Sequence, residues 1–147
     1  MTITEQRTPQ AARERARAIC LGFVFLWFTF GGIAHFVATD LEQRIVPPWV
    51  PWPREVVLLS GAFELLGAAG LLHPRTRRAA ALGLFVLTLL VTPAHLYLLQ
   101  RPELFDVPLW ALWLRLPLQV LLLAAIAWSA GLGGAASRSR SALGGDG

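Results

Sequence analysis

Lysine is missing from this 147-residue chain, cysteine occurs once, and only 15 % of the residues are charged. Each shortage excludes something. The single thiol, Cys20, cannot form an internal disulfide, a CxxC redox pair or a cysteine zinc site. It reads as a small buried apolar side chain, so any redox chemistry must use a cofactor or a partner. Scarce charge, with 55 % hydrophobic residues and a mean hydropathy of +0.55, excludes an ordinary soluble domain. The absence of lysine makes all 13 basic residues arginine, which fits a GC-rich genome and says nothing about mechanism. A net charge of +4 could suggest nucleic acid, but the arginines flank long apolar runs, so no nucleic-acid partner is expected. The glycine-rich stretch Gly131-Leu132-Gly133-Gly134 follows a helical pattern and not a strand, which excludes a dinucleotide loop.

What is present is hydrophobic length. Four windows, 18–37, 55–72, 79–99 and 108–130, can each cross a bilayer core about 30 Å thick at about 1.5 Å per residue. The sequence predicts an all-α, polytopic membrane protein, a four-transmembrane-helix bundle spanning 18–130. An Arg-rich segment, 1–17, precedes it and a flexible tail, 131–147, follows. The first apolar run is too long for a signal-peptide core and lacks a clean cleavage site, so it is read as an uncleaved span.

Arginine placement predicts orientation. Arg7, Arg13, Arg15, Arg17, Arg75, Arg77, Arg78, Arg138 and Arg140 fall on one side; only Arg44, Arg54 and Arg101 fall on the other. Both termini are therefore expected in the cytoplasm, with the protein in a bacterial inner membrane. On the outer side, Val46-Pro47-Pro48-Trp49-Val50-Pro51-Trp52-Pro53 forbids a regular helix. Trp49 and Trp52, with Trp110 and Trp113, suit an interfacial aromatic belt. Pro47, Pro48, Trp49 and Trp52 are also candidates for a lid over an outward-facing pocket.

Five polar groups interrupt the apolar spans: His35, Glu64, His95, Arg115 and Gln119. Side chains of this kind are costly inside a membrane unless they face a partner, a cavity or a water path. Counted along their helices, they lie about 3 to 16 Å from the same, outer, end. Ser60, Glu64, Gly67 and Ala68 share one helical face, and Gly31, Gly32 and His35 another. Thr88, Thr92 and His95 share a third, while Arg115 and Gln119 stand one turn apart. The expectation is one interior site that handles protons or binds a polar head such as a quinone carbonyl. Arg115 and Glu64, at matching depth, could equally be a structural ion pair, and His95 could bond a carbonyl freed by Pro93. Two histidines and a carboxylate can ligate a metal, but no ligand pair has i,i+3 or i,i+4 spacing, so no metal is expected.

Five short stretches carry a family resemblance. They are Gly32-Ile33-Ala34-His35-Phe36, Ile45-Val46-Pro47-Pro48 with Pro51, Ser60-Gly61-Ala62-Phe63-Glu64-Leu65, Leu71-Leu72-His73-Pro74-Arg75 and Thr92-Pro93-Ala94-His95. In their order and spacing the chain resembles the DoxX family of small bacterial membrane proteins over residues 18–100. The resemblance implies a four-helix membrane bundle. It also implies kinship with proteins that look like subunits of membrane oxidoreductases, including thiosulfate:quinone oxidoreductase, and more distantly with receptor or cargo chaperones. No stretch here matches a catalytic motif for thiosulfate oxidation. The expected function is a small subunit or accessory of a membrane redox system, binding a quinone or lipid-like molecule, with a redox-enzyme subunit or a second copy of itself as partner. The alternatives are a non-enzymatic scaffold or assembly factor and, behind that, a small transporter.

Overall fold

A computed structural model of the chain describes residues 3–104 and 108–132. The segment expected as a flexible tail lies almost wholly outside these residues, as do Arg138 and Arg140. Among the described residues there are six α-helices: α1 (Ile3–Val37), α2 (Thr39–Glu42), α3 (Pro53–Leu72), α4 (Arg77–Leu90), α5 (Thr92–Gln100) and α6 (Leu109–Ala130). Four stretches among these residues are long and apolar enough to cross a membrane: Pro9–Val37, Pro53–Leu72, Arg77–Gln100 and Leu109–Ala130. The chain has the architecture of a multi-pass membrane protein.

α1 packs on α3, α3 on α4, α4 and α5 on α6, and α6 closes the ring against α1. This is an up-and-down four-helix bundle, in which short connections make sequential helices antiparallel neighbours.

Two features add to the expected spans. The first helix begins at Ile3, upstream of the expected start of the span near residue 18. Residues 11–18, Ala-Ala-Arg-Glu-Arg-Ala-Arg-Ala, are strong helix formers, so the polar segment continues the apolar helix. The third span is broken: α4 ends at Leu90, Val91 takes a turn conformation (φ −84°, ψ −6°), and α5 restarts at Thr92. Pro93 then falls in the first turn of α5, where its missing N–H costs nothing. α6, by contrast, runs unbroken through Pro117 and ends at Gly131. There φ is +70°, and the Gly131 and Leu132 amides donate to Trp128 and Ala127 carbonyls at 3.2 and 2.9 Å. This paired closure needs a left-handed residue, which glycine supplies without strain.

The interior is divided along its length. Val24, Phe28, Ala68, Leu71, Ala81, Leu84, Leu122, Ile126 and Ala130 form one apolar core in the half nearer the N-terminus. Cys20 borders it, its Sγ 3.7 Å from the Ala125 carbonyl oxygen. The other half, towards the α1–α3 connection, holds Glu64, Thr88 and Gln119 on the inward stripes of α3, α4 and α6.

Close approach of α1 and α3 depends on glycine. A Cβ on Gly61 would lie 2.6 Å from His35 Cβ and 3.0 Å from the Gly32 carbonyl oxygen. Gly61→Ala should therefore lower stability in detergent by about 1–3 kcal/mol, since neither contact is a flexible side-chain end. Gly22→Ala, whose Cβ would meet nothing within 4 Å, should be neutral or slightly stabilising. Thermal unfolding of the two variants side by side checks this contrast.

Candidate functional site

Two polar clusters occupy the connection half. In the first, the His35 ring lies between two carboxylates. Its Nε2 is 3.5 Å from Glu64 Oε1, and its Nδ1 contacts Glu42 Oε2. All three side chains are mostly buried, 18 % exposed for His35, 22 % for Glu42 and 13 % for Glu64. The backbone makes this possible at two places. α1 stops at Val37, where the Thr39 hydroxyl donates to the His35 carbonyl at 2.6 Å, and the chain reverses into α2. That turn brings Glu42 back onto His35. On the opposite side, Glu64 Oε2 occupies space that a Cβ on Gly31 would enter, at 2.7 Å.

A neutral imidazole carries one N–H, yet both ring nitrogens here face a carboxylate. Satisfying both contacts takes two protons among the three groups: an imidazolium with two carboxylates, or a neutral ring with one carboxylic acid. Glu42, His35 and Glu64 thus form a row of three titratable groups, in which His35 Nδ1 meets Glu42 without hydrogen-bond geometry. The Glu64 link is longer than a good hydrogen bond and is the looser of the two.

The second cluster fills the break in the third span. Gln119 Nε2 donates to the Thr88 carbonyl at 2.9 Å and to the Thr92 hydroxyl at 2.6 Å, while its Oε1 faces His95 Nδ1 at 2.8 Å. A carbonyl can only accept, so Thr88 sets the orientation of the amide. The amide in turn makes His95 Nδ1 the donor, which leaves Nε2 of the neutral ring as a proton acceptor. Among the described residues Nε2 has no hydrogen-bond partner. Thr88 and Thr92 also bond back within their own span, to the Leu84 and Thr88 carbonyls at 2.7 and 3.2 Å. His95 bonds no backbone carbonyl, and the carbonyl that Gln119 bonds is that of Thr88, not that of Leu89 four residues before Pro93.

Both clusters lie in the connection half of the bundle, the first on α1, α2 and α3 and the second on α4, α5 and α6. Arg115 does not form the ion pair with Glu64 that matching depth suggested. Its spacing from Leu112 and Gln119 puts its Cα near the inward stripe of α6, but its side chain is exposed. A long aliphatic stem lets a guanidinium leave the interior where a carboxamide cannot.

Of the lid candidates, Pro47 is buried, whereas Pro48, Trp49 and Trp52 are exposed. Trp49 stands edge-on to Tyr97 of α5, ring centroids 6.0 Å apart at 80°. The preceding 3₁₀ turn, Gln43–Ile45, touches both α3 and α5, so this connection lies across the polar end. Trp52 caps α3 with a left-handed backbone (φ 52°) that no other non-glycine residue adopts among those described.

Glu42 is the site residue that sequence reasoning missed. Among Asp40, Gln43 and Arg44 it looks like part of a solvated turn, and only the fold of α2 turns it inward. Among the described residues, no group of three or more His, Cys, Asp or Glu is arranged to hold a metal ion.

Residues 24–131 match the family described as "Domain of unknown function (DUF8561)". The chain belongs to that family. The matched stretch includes every residue of both clusters and omits the Arg-rich first turns of α1. No curated protein and no solved structure matches the chain.

Proposed function

We propose that this DUF8561 protein resides in a bacterial inner membrane with both termini cytoplasmic. There it serves as a small subunit or accessory of a membrane redox system, binding the polar head of a quinone or similar lipid-soluble molecule. The carrying observation is the Glu42–His35–Glu64 cluster at the α1–α3 connection, in the same half of the bundle as the open Nε2 of His95. A quinone takes up electrons and protons together on reduction. In this reading Glu64 and His95 hold the head by hydrogen bonds, His35 and Glu42 pass protons to the outer surface, and Arg115 adds positive charge nearby. The resemblance to the DoxX family supports the same assignment, as does the uneven placement of arginines for the orientation.

A non-enzymatic scaffold is the second reading. It is favoured by Gln119, whose three hydrogen bonds tie α6 to both halves of the third span and could serve packing alone. Extraction and mass spectrometry of lipids that co-purify in mild detergent separates the two. Near-stoichiometric quinone is expected for wild type, and its loss in a folded Glu64→Gln variant. Repeated absence from folded wild-type protein contradicts the redox reading.

A further inference from the structure

The cavity of about 400 Å³ at the junction of α1, α2 and α3 belongs to neither cluster. Its walls include Phe36, Val37 and Leu41 as apolar groups, Arg44 and Arg54 as cations, and Asp40 as the one carboxylate. From these groups we infer that the cavity is a binding site for a single phospholipid, through a headgroup that pairs a phosphate with a hydrogen-bond donor.

Position comes first. Phe36 and Val37 belong to the last turn of α1, and Arg54 to the first turn of α3. The cavity thus opens at the end of two membrane-length helices, the level at which headgroups lie beside a span. Val37 is 82 % exposed and Phe36 47 % exposed on the flank of that opening, which gives an acyl chain apolar surface to follow.

Charge comes second. Only three arginines lie on this side of the spans, and two of them line one cavity. Among the described residues neither Arg44 nor Arg54 takes part in a salt bridge, and neither does Asp40. Two guanidinium groups around one space match the oxygens of a phosphodiester, which a guanidinium can meet with paired N–H donors. A site for a bare anion would gain nothing from a carboxylate in its wall. Asp40 accepts one hydrogen bond, from Gln43 Nε2 at 3.4 Å, and has capacity for more. That capacity suits the ammonium of ethanolamine or a glycerol hydroxyl, whereas choline has no N–H to give it a hydrogen bond. The space is open on one side and large enough to seat a headgroup.

Native mass spectrometry of the full chain, released from neutral detergent containing equal amounts of phosphatidylethanolamine, phosphatidylglycerol and phosphatidylcholine, tests the assignment. Wild type should retain the first two in preference to phosphatidylcholine. The Arg44→Ala/Arg54→Ala variant should lose retention by at least about tenfold, the effect of one charge-assisted contact. Asp40→Ala should keep lipid but lose the preference over phosphatidylcholine. All the altered side chains are exposed, so unfolding temperatures should match wild type. Should the double variant unfold early, Arg44→Gln and Arg54→Gln singly supply the same comparison. Equal retention of the three lipids by wild type would overturn the inference, as would retention unchanged without the arginines. Displacement of bound lipid by millimolar inorganic phosphate would likewise overturn it, by marking a free-anion site.

Discussion

His35→Leu should destabilise the protein by about 3 kcal/mol, the low end of what is lost when one member of a buried ionic group is removed. The leucine would leave Glu64 and Glu42 with neither a cation nor a hydrogen-bond donor between them, both less than a quarter exposed. Either their charges repel in a poorly solvated place, or each takes up a proton at a cost. The low end applies because some exposure remains on all three side chains. A His35→Leu/Glu64→Leu variant removes the deeper carboxylate as well and should recover most of the loss, since apolar groups can pack where the pair stood. Stability alone therefore distinguishes a mutually dependent cluster from three independent polar residues. Complementation of a deletion strain then adds the functional readout. The double variant should be folded and inactive, whereas a scaffold would tolerate it.

Gln119→Leu should cost about 2 kcal/mol, the sum of three interhelical hydrogen bonds at about 0.6 kcal/mol each in a membrane interior. Its consequences differ from those of His35→Leu because no buried charge is exposed. The Thr88 carbonyl would keep only the Thr92 hydroxyl, at 3.2 Å, and His95 Nδ1 would lose its acceptor. Nitrogen NMR of a histidine-labelled sample should show wild-type His95 protonated at Nδ1, with that preference lost in the variant. Gln119→Glu offers no N–H to the Thr88 carbonyl and should be at least as destabilising as leucine. Unfolding temperature and the His95 signals together check both effects.

Much of this architecture could be read from hydrophobic length and spacing. Glu64 follows Ser60 by one turn and precedes Ala68 by another, so the inward stripe of α3 was legible once the span was assigned. The pairing of His35 with Glu64 was not legible from depth, which put His35 near the outer end of its span and Glu64 well below it. Arg115 shows where depth stops being informative. Depth gives height along the bundle, not direction around it, and a long stem can carry its charge outward from an inward Cα. The break at Val91 was only half legible. Pro93 signals a kink, but whether a carbonyl is bonded by His95 or by Gln119 depends on how α5 and α6 meet, a tertiary matter. Glu42 carried no signal, because its role comes from the turn that the Thr39 hydroxyl closes on α1. Apolar length marks where a span begins and not where its helix does, because helix propensity in Ala-Ala-Arg-Glu-Arg-Ala-Arg-Ala continues upstream of it.

The most direct test of the proposed site is a titration of the purified protein with a short-chain quinone analogue, followed through the ring-nitrogen signals of His95 and His35. The account predicts saturable binding that shifts His95 Nε2, the unpartnered acceptor, and perturbs His35 through Glu64. It also predicts no such shifts in a folded Glu64→Gln variant. Wild-type protein whose histidine signals stay unchanged up to the solubility limit of the analogue would contradict it.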